Sequence, residues 1–190
     1  MINKTMHEII PAVLARTEEE LKEQIKNLPP EITFFHFDVL EEDLWAEANR
    51  DFEVHLMVAE PEKIMDKWIA RGAKRLSVHE VNQKLAGYRE QAEIGLAVVI
   101  DKPLEGVYPF LDFVDYVHLM SIAEIGEQHH PLDERIFDRI KAVREKFPTL
   151  PISVDGGITL ENYQKLLDCG ATRLVVGSHF TELWTSLKKN

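Results

Sequence analysis

Residues 152–178 read ISVDGGITLENYQKLLDCGATRLVVGS. A β-branched run over 152–158 carries Asp155-Gly156-Gly157, and Thr159 then stands where a helix cap belongs, ahead of Leu160, Tyr163, Leu166 and Leu167 at helical spacing. Gly170 is a natural stop, and a second β-branched run covers 173–178. Strand, glycine turn, amphipathic helix and strand make one βα unit of a parallel sheet.

Working outward, the same pattern recurs. Apolar runs at 9–14, 33–39, 52–58, 75–81, 96–101 and 116–122 bring the expected strands to eight, most of them apolar on both faces as covered parallel strands are. Helical spacing fills the intervals. Thr17 and Glu20 form a capping box before Leu21, Ile25 and Leu28; Pro61 leads Ile64, Met65, Trp68 and Ile69 with Gly72 as the stop; Pro131 opens a helix through Leu132, Ile136, Ile140 and Val143. Strand starts at 9, 33, 52, 75, 96, 116, 152 and 173 are separated by 19 residues (33 to 52) to 36 (116 to 152). Eight such units predict an α/β fold, a closed (β/α)8 TIM barrel forming one domain over 1–190. With 190 residues the chain is just under the ~200 such barrels usually need, so something is trimmed. The shortest step points to an abbreviated second βα unit at 41–51, and the longest to an active-site loop at 123–130. The tetrapeptide Val-His-Leu-Met occurs at both 54–57 and 117–120; strands three and six are not related by a shift of four, so we read convergence rather than duplication.

Composition narrows the function. The chain is 45% apolar, enough for one sizeable core, and 33 acidic residues against 22 Lys and Arg give a charge of −11. That field repels phosphate backbones and anionic bilayers, which argues against nucleic acid and membrane partners. A lone Cys169 cannot form an internal disulfide, the N-terminus lacks the apolar stretch of a signal peptide, and no apolar run approaches the ~18 residues of a membrane span. A reducing, cytoplasmic location is expected.

Polar side chains at strand C-termini converge on the barrel mouth. His36 and Asp38 share a face of strand two, His55 lies on strand three and Asp155 closes strand seven. Singly, such residues cap helices or pack. Together, two imidazoles and two carboxylates can surround one divalent metal ion, zinc first, with iron, manganese or cobalt as alternatives. Gly156-Gly157 and Gly177-Ser178, after strands seven and eight, would let backbone N–H groups approach a phosphate, although glycines there also make plain tight turns. His118 has inward parity with Met120 and is read as a hydrogen-bonded core residue; His79 and Glu80 receive no catalytic role.

His36-Phe37-Asp38-Val39, the segment Glu53-Val54-His55-Leu56-Met57-Val58, Val154-Asp155-Gly156-Gly157-Ile158 and Val175-Val176-Gly177-Ser178 resemble the signature segments of the ribulose-phosphate 3-epimerase family, in a register running from Ile10 to about Leu183. The resemblance implies a metal held by His36, Asp38, His55 and Asp155, with Asp38 and Asp155 also exchanging protons with the substrate. Met57 and Met120 would line the substrate pocket, and Gly156, Gly157, Gly177 and Ser178 would hold phosphate. It implies an isomerase of carbohydrate metabolism that inverts C3 of a small-molecule ketose phosphate, ribulose 5-phosphate to xylulose 5-phosphate in the pentose phosphate pathway. Epimerisation of a hexulose 6-phosphate and a non-catalytic barrel that binds metal or sugar phosphate are the alternatives. The chain departs from the family pattern at Ala12, where Ser is usual, at 40–43, and at 123–128, where one glycine replaces a glycine-rich loop. Self-association to a homo-oligomer through the shortened second unit is a further expectation.

Overall fold

The computed structural model describes residues 7–40, 44–123 and 130–189. Strands β1 (Glu8–Val13), β2 (Phe34–Val39), β3 (Asp51–Leu56), β4 (Arg75–Val78), β5 (Glu93–Val98), β6 (Tyr116–Met120), β7 (Ile152–Asp155) and β8 (Arg173–Val176) each pair in parallel with the next, and β8 closes on β1. All eight expected strands are present, β5 beginning three residues earlier than its apolar run suggests. The helices are α1 (Glu18–Asn27), α2 (Met65–Ala70), α3 (Gln83–Ala86), α4 (Arg135–Lys146), α5 (Tyr163–Asp168) and α6 (Phe180–Leu187).

Helix starts follow local hydrogen bonding more closely than the apolar pattern. Thr17 accepts from Glu20 N at 3.2 Å, whereas the Glu20 carboxylate accepts from Arg16 N at 2.8 Å, so the box closes one residue upstream of its usual partner. The helix expected from Pro131 begins at Arg135, whose N–H is taken by the Asp133 carboxylate at 2.9 Å. The helix expected from Thr159 begins at Tyr163, because the Asn162 side chain accepts from Thr159 N at 2.8 Å and ties the intervening residues into a turn.

The second βα unit is indeed short: none of the described residues 44–50 is helical. Trp45 covers this side of the barrel instead, its ring 5.7 Å from Phe52 and 5.8 Å from Trp68, with the Arg71 guanidinium over both indoles at 4.8 and 4.7 Å. The economy is spread wider than expected. α3 is four residues long, and β5 connects to β6 through two 3₁₀ segments, Leu104–Gly106 and Tyr108–Phe113, with no α-helix.

Strand alternation sorts two different interiors. Residues such as Phe37, Val54, Leu76, Leu96, Leu119, Val154 and Leu174 face outward into a continuous apolar layer beneath the helices. The opposite parity faces the barrel axis, and there the expectation of an apolar interior fails: His36, Glu53, His55, Ser77, His118, Ser153 and Arg173 are all buried. Buried charge needs partners. At the barrel floor Arg75 donates to Glu8 at 2.9 and 3.1 Å and to Glu53 at 3.3 Å, while Arg173 donates to Glu93 at 2.8 Å. Gly95 makes room for Tyr116 in this layer; a Cβ there would lie 2.3 Å from the phenol ring.

Candidate active site

The site grows upward from that polar floor. Glu53, whose other carboxylate oxygen meets Arg75, accepts from His36 Nδ1 at 2.8 Å. Its burial pushes the carboxyl pKa up, but the hydrogen bond and charge of His36, together with Arg75, outweigh burial and hold it at about 2. With Nδ1 so engaged, the other nitrogen of His36, Nε2, points to Asp38 Oδ1 at 3.2 Å. Burial works to lower the His36 pKa, and its bonds to Asp38 and Glu53 override that and raise it well above 6.5. Asp38 also has His55 Nδ1 3.4 Å from the same oxygen. Burial opposes its charge, but the two imidazoles hold its carboxyl well below the usual range.

His55 presents its second nitrogen, Nε2, to Nε2 of His79 at 2.9 Å, so one of the pair carries the shared proton. Burial lowers the pKa of His55, and burial followed by the nearby charges of His55, His118 and Lys102 lowers that of His79 to about 3. Across the barrel His118 Nε2 lies 3.4 Å from Asp155 Oδ2. Its ring stacks on His36 with centroids 5.5 Å apart and planes 12° apart, and sits 4.9 Å from His55. One ligand atom from each of His36, His55, His118 and Asp155 lies within 4.8 Å of the other three.

This donor set fits a cation. A tetrahedral ion with bonds of 2.0–2.2 Å keeps its ligands about 3.4 Å apart, the spacing already seen between His118 and Asp155 and between His55 and Asp38. Nδ1 of His118 is buried without a hydrogen-bond partner among the described residues. Polar atoms rarely stay so inside a barrel.

Above the imidazoles opens a cleft of about 420 Å³. It is lined by Asp38, Met57, Met120, Asp155, Gly156, Gly157, Gly177 and Ser178, so every residue expected from the sequence to face the substrate borders one cavity, joined by Ala12, Ile122, His130, Pro131, Ile158, Thr159 and His179. His36 and His55 lie beneath it, fully buried. Ordinary chain geometry also demands the glycine pair. Gly156 and Gly157 have φ of 103° and 61°, and a Cβ on Gly157 would meet Leu132 N at 2.2 Å. Ser121 Oγ secures the turn from below, donating to the carbonyls of Asp155 and Gly156. Of the loop expected at 123–130, residues 124–129 lie outside the described residues, as do 41–43.

The family model of the ribulose-phosphate 3 epimerase family matches residues 8–181. The chain belongs to the ribulose-phosphate 3-epimerase family. Among the curated members of this family, ribulose-phosphate 3-epimerase of Schizosaccharomyces pombe is 31% identical over 133 residues, 67% of this chain and 58% of that protein. The chloroplastic ribulose-5-phosphate-3-epimerase of Arabidopsis thaliana is 29% identical over 196 residues, 90% of this chain and 70% of that protein. The match thus spans less than two thirds of the Schizosaccharomyces pombe member's length. A solved structure described as QR15, an aldolase, superposes with a TM-score of 0.70 at 13% identity, covering 100% of this chain and 97% of that one, and shares the barrel fold.

His118, read from the sequence as a hydrogen-bonded core residue of inward parity, is fully buried and bonds Asp155. A satisfied packing histidine would have both nitrogens engaged, and His118 has Nδ1 unpartnered and Nε2 on Asp155. Its parity with Met120 was the available signal. Glu53, Arg75 and Arg173 were missed because they sit inside runs that read as apolar strands.

Proposed function

We propose that this chain is a metal-dependent epimerase that inverts C3 of a phosphorylated ketose, ribulose 5-phosphate to xylulose 5-phosphate. The observation that carries the reading is the pairing of Asp38 and Asp155 on one cleft, each touching buried imidazole. Inverting a carbon beside a ketone takes a proton from one face and returns one to the other, which needs two acid/base groups flanking the substrate, a task two carboxyl groups can perform. Asp38, held ionised by His36 and His55, serves as base in one direction, and Asp155 delivers the proton from the opposite side; the roles exchange when the reaction reverses. His36, Asp38, His55 and Asp155 would hold a divalent ion, zinc in the first instance, which when bound supplies positive charge to the developing enediolate oxygen.

Met57 and Met120 add apolar surface to the cleft and exclude water from the intermediate. The backbone amides around Gly156-Gly157 and Gly177-Ser178 bind the phosphate and so fix C3 between the carboxylates. The absence of a second cysteine fits work in a reducing cytoplasm. Solvent deuterium incorporation at C3 of ribulose 5-phosphate tests the reading, with and without chelator, for the wild-type chain and Asp155→Asn. Exchange that requires both metal and Asp155 is expected. A metal-loaded wild-type chain that leaves C3 unlabelled refutes the pentose reading and moves the trial to hexulose 6-phosphates.

A further inference from the structure

A phosphate entering the cleft meets an unfavourable field. Asp38 and Asp155 are the carboxylates on its lining, no Lys or Arg is among the described lining residues, and the whole chain carries −11. Backbone amides at Gly156-Gly157 and Gly177-Ser178 offer dipoles to an anion but no side-chain donor opposite the phosphate's charge. The lining does hold two imidazoles, His130 and His179. His179 directly follows Ser178, in the turn between β8 and α6, and so stands at the end of the cleft where the proposed function seats phosphate.

Local structure leaves this ring little other work. Phe180 N donates to the Gly177 carbonyl at 2.9 Å and Leu183 N to the His179 carbonyl at 3.1 Å, so the turn closes through backbone alone. Phe180 is buried and stacks on Trp184 at 5.7 Å, which anchors the start of α6. The His179 side chain makes no capping bond to that helix and is about half exposed. Its polar neighbour among the described residues is Glu182, whose carboxylate lies 3.5 Å from Nδ1, at the outer limit of a hydrogen bond and open to solvent. Such a contact does not fix the ring. An imidazole carries an N–H in every protonation state, so it can donate to an anion whether or not it is charged.

We infer that His179 donates an N–H to the substrate phosphate and selects phosphorylated ketoses over the free sugars. The inference deepens the proposed function and rests on it for the seating of phosphate beside Gly177-Ser178.

Inorganic phosphate titrated into the isotope-labelled full-length chain, at fixed pH and ionic strength, reads the contact by nuclear magnetic resonance without requiring turnover. The Gly157 and Gly177 amides and the His179 ring are expected to shift together with one dissociation constant. That constant rises about tenfold in His179→Ala, the effect of losing a hydrogen bond to a charged acceptor, and His179→Gln, which keeps an N–H donor, recovers part of the loss. The preference for ribulose 5-phosphate over ribulose in C3 deuterium exchange falls in the same order. A ring signal that stays put while the glycine amides move, an affinity unchanged in His179→Ala, equal weakening in the Ala and Gln variants, or a wild-type chain that binds no phosphate overturns the inference. Deuterium exchange by the wild type separates it from the epimerase reading. Phosphate binding that depends on His179 without exchange at C3 keeps the contact and removes the pentose reaction, whereas exchange with a phosphate affinity indifferent to His179 removes the contact and leaves the epimerase standing.

Discussion

Replacing Glu53 with Gln tests whether the polar column inside the barrel contributes to stability through charge. Glu53 is 2% exposed, bonds His36 at 2.8 Å and Arg75 at 3.3 Å, and its carboxyl is held at about 2 against an ordinary 4.5. A group whose folded pKa lies below its unfolded value binds fewer protons when folded, so the chain is stabilised wherever the carboxyl is ionised in both states. That contribution is complete above about pH 4.5 and disappears as pH falls toward 2. At 1.36 kcal/mol per pH unit, a difference of roughly 2.5 corresponds to about 3 kcal/mol at neutral pH. For a chain of this size the loss moves the melting midpoint down by about 6–12 °C. The amide retains shape and one acceptor oxygen for His36, so the deficit reports charge and not a cavity.

Urea unfolding of wild type and Glu53→Gln, with chelator present throughout so that bound metal does not stabilise either chain, measures the difference. A deficit of about 3 kcal/mol at pH 7 that shrinks to less than half near pH 3 is the expected pattern. A deficit that is the same at both pH values, or none at either, refutes the electrostatic account. In the first case the amide is simply a poor fit, and in the second Arg75 is satisfied by Glu8 and Glu93 alone.

Asp38→Asn and Asp155→Asn each reduce C3 deuterium exchange by at least about 100-fold while leaving the far-ultraviolet dichroism unchanged, since an amide keeps the packing and cannot exchange the proton. Gly95→Ala drives a methyl into the Tyr116 ring and costs about 1–3 kcal/mol in urea unfolding; pairing it with Tyr116→Leu recovers part of that loss, and a double variant as unstable as the two singles added together would show that the ring is not the obstacle. Arg144 donates to the carbonyls of Phe147, Pro148, Leu150 and Gly170 at 2.8 to 3.3 Å, closing the α4 end against the turn after α5, so Arg144→Ala lowers stability by about 2 kcal/mol and Arg144→Lys, a point charge without the fork, does not restore it.

The strands were legible because each is a short run with its outward residues apolar, such as Leu174 and Val176 on β8 or Val54 and Leu56 on β3. Helices were less so. Asp133 and Asn162 bind nearby backbone groups, holding the residues after Pro131 and Thr159 in turns that the apolar spacing extends straight through. Between β5 and β6, Leu104, Val107 and Leu111 keep helical spacing, yet Pro103 and Pro109 remove two backbone donors and the segment settles into 3₁₀ turns. Apolar periodicity says which face is buried; the hydrogen bonds that start a helix are decided by single polar side chains.

The mouth of the barrel could be read from parity alone, since His36 and Asp38, His55 and Met57, and His118 and Met120 are two apart and must share a face. What parity leaves open is whether an inward side chain has space to reach the others, and that depends on register across strands. His55 stands beside Ser77, and His118 stands between Ala97 and Ser153. Small residues on β4, β5 and β7 therefore leave the volume that the imidazoles of β2, β3 and β6 occupy, much as Gly95 leaves space for Tyr116 one layer below. A branched side chain at 97 or 153 would fill the axis and force His118 away from the rings of His36 and His55. The feature that gathers scattered histidines into one cluster is thus the smallness of residues that carry no chemistry themselves.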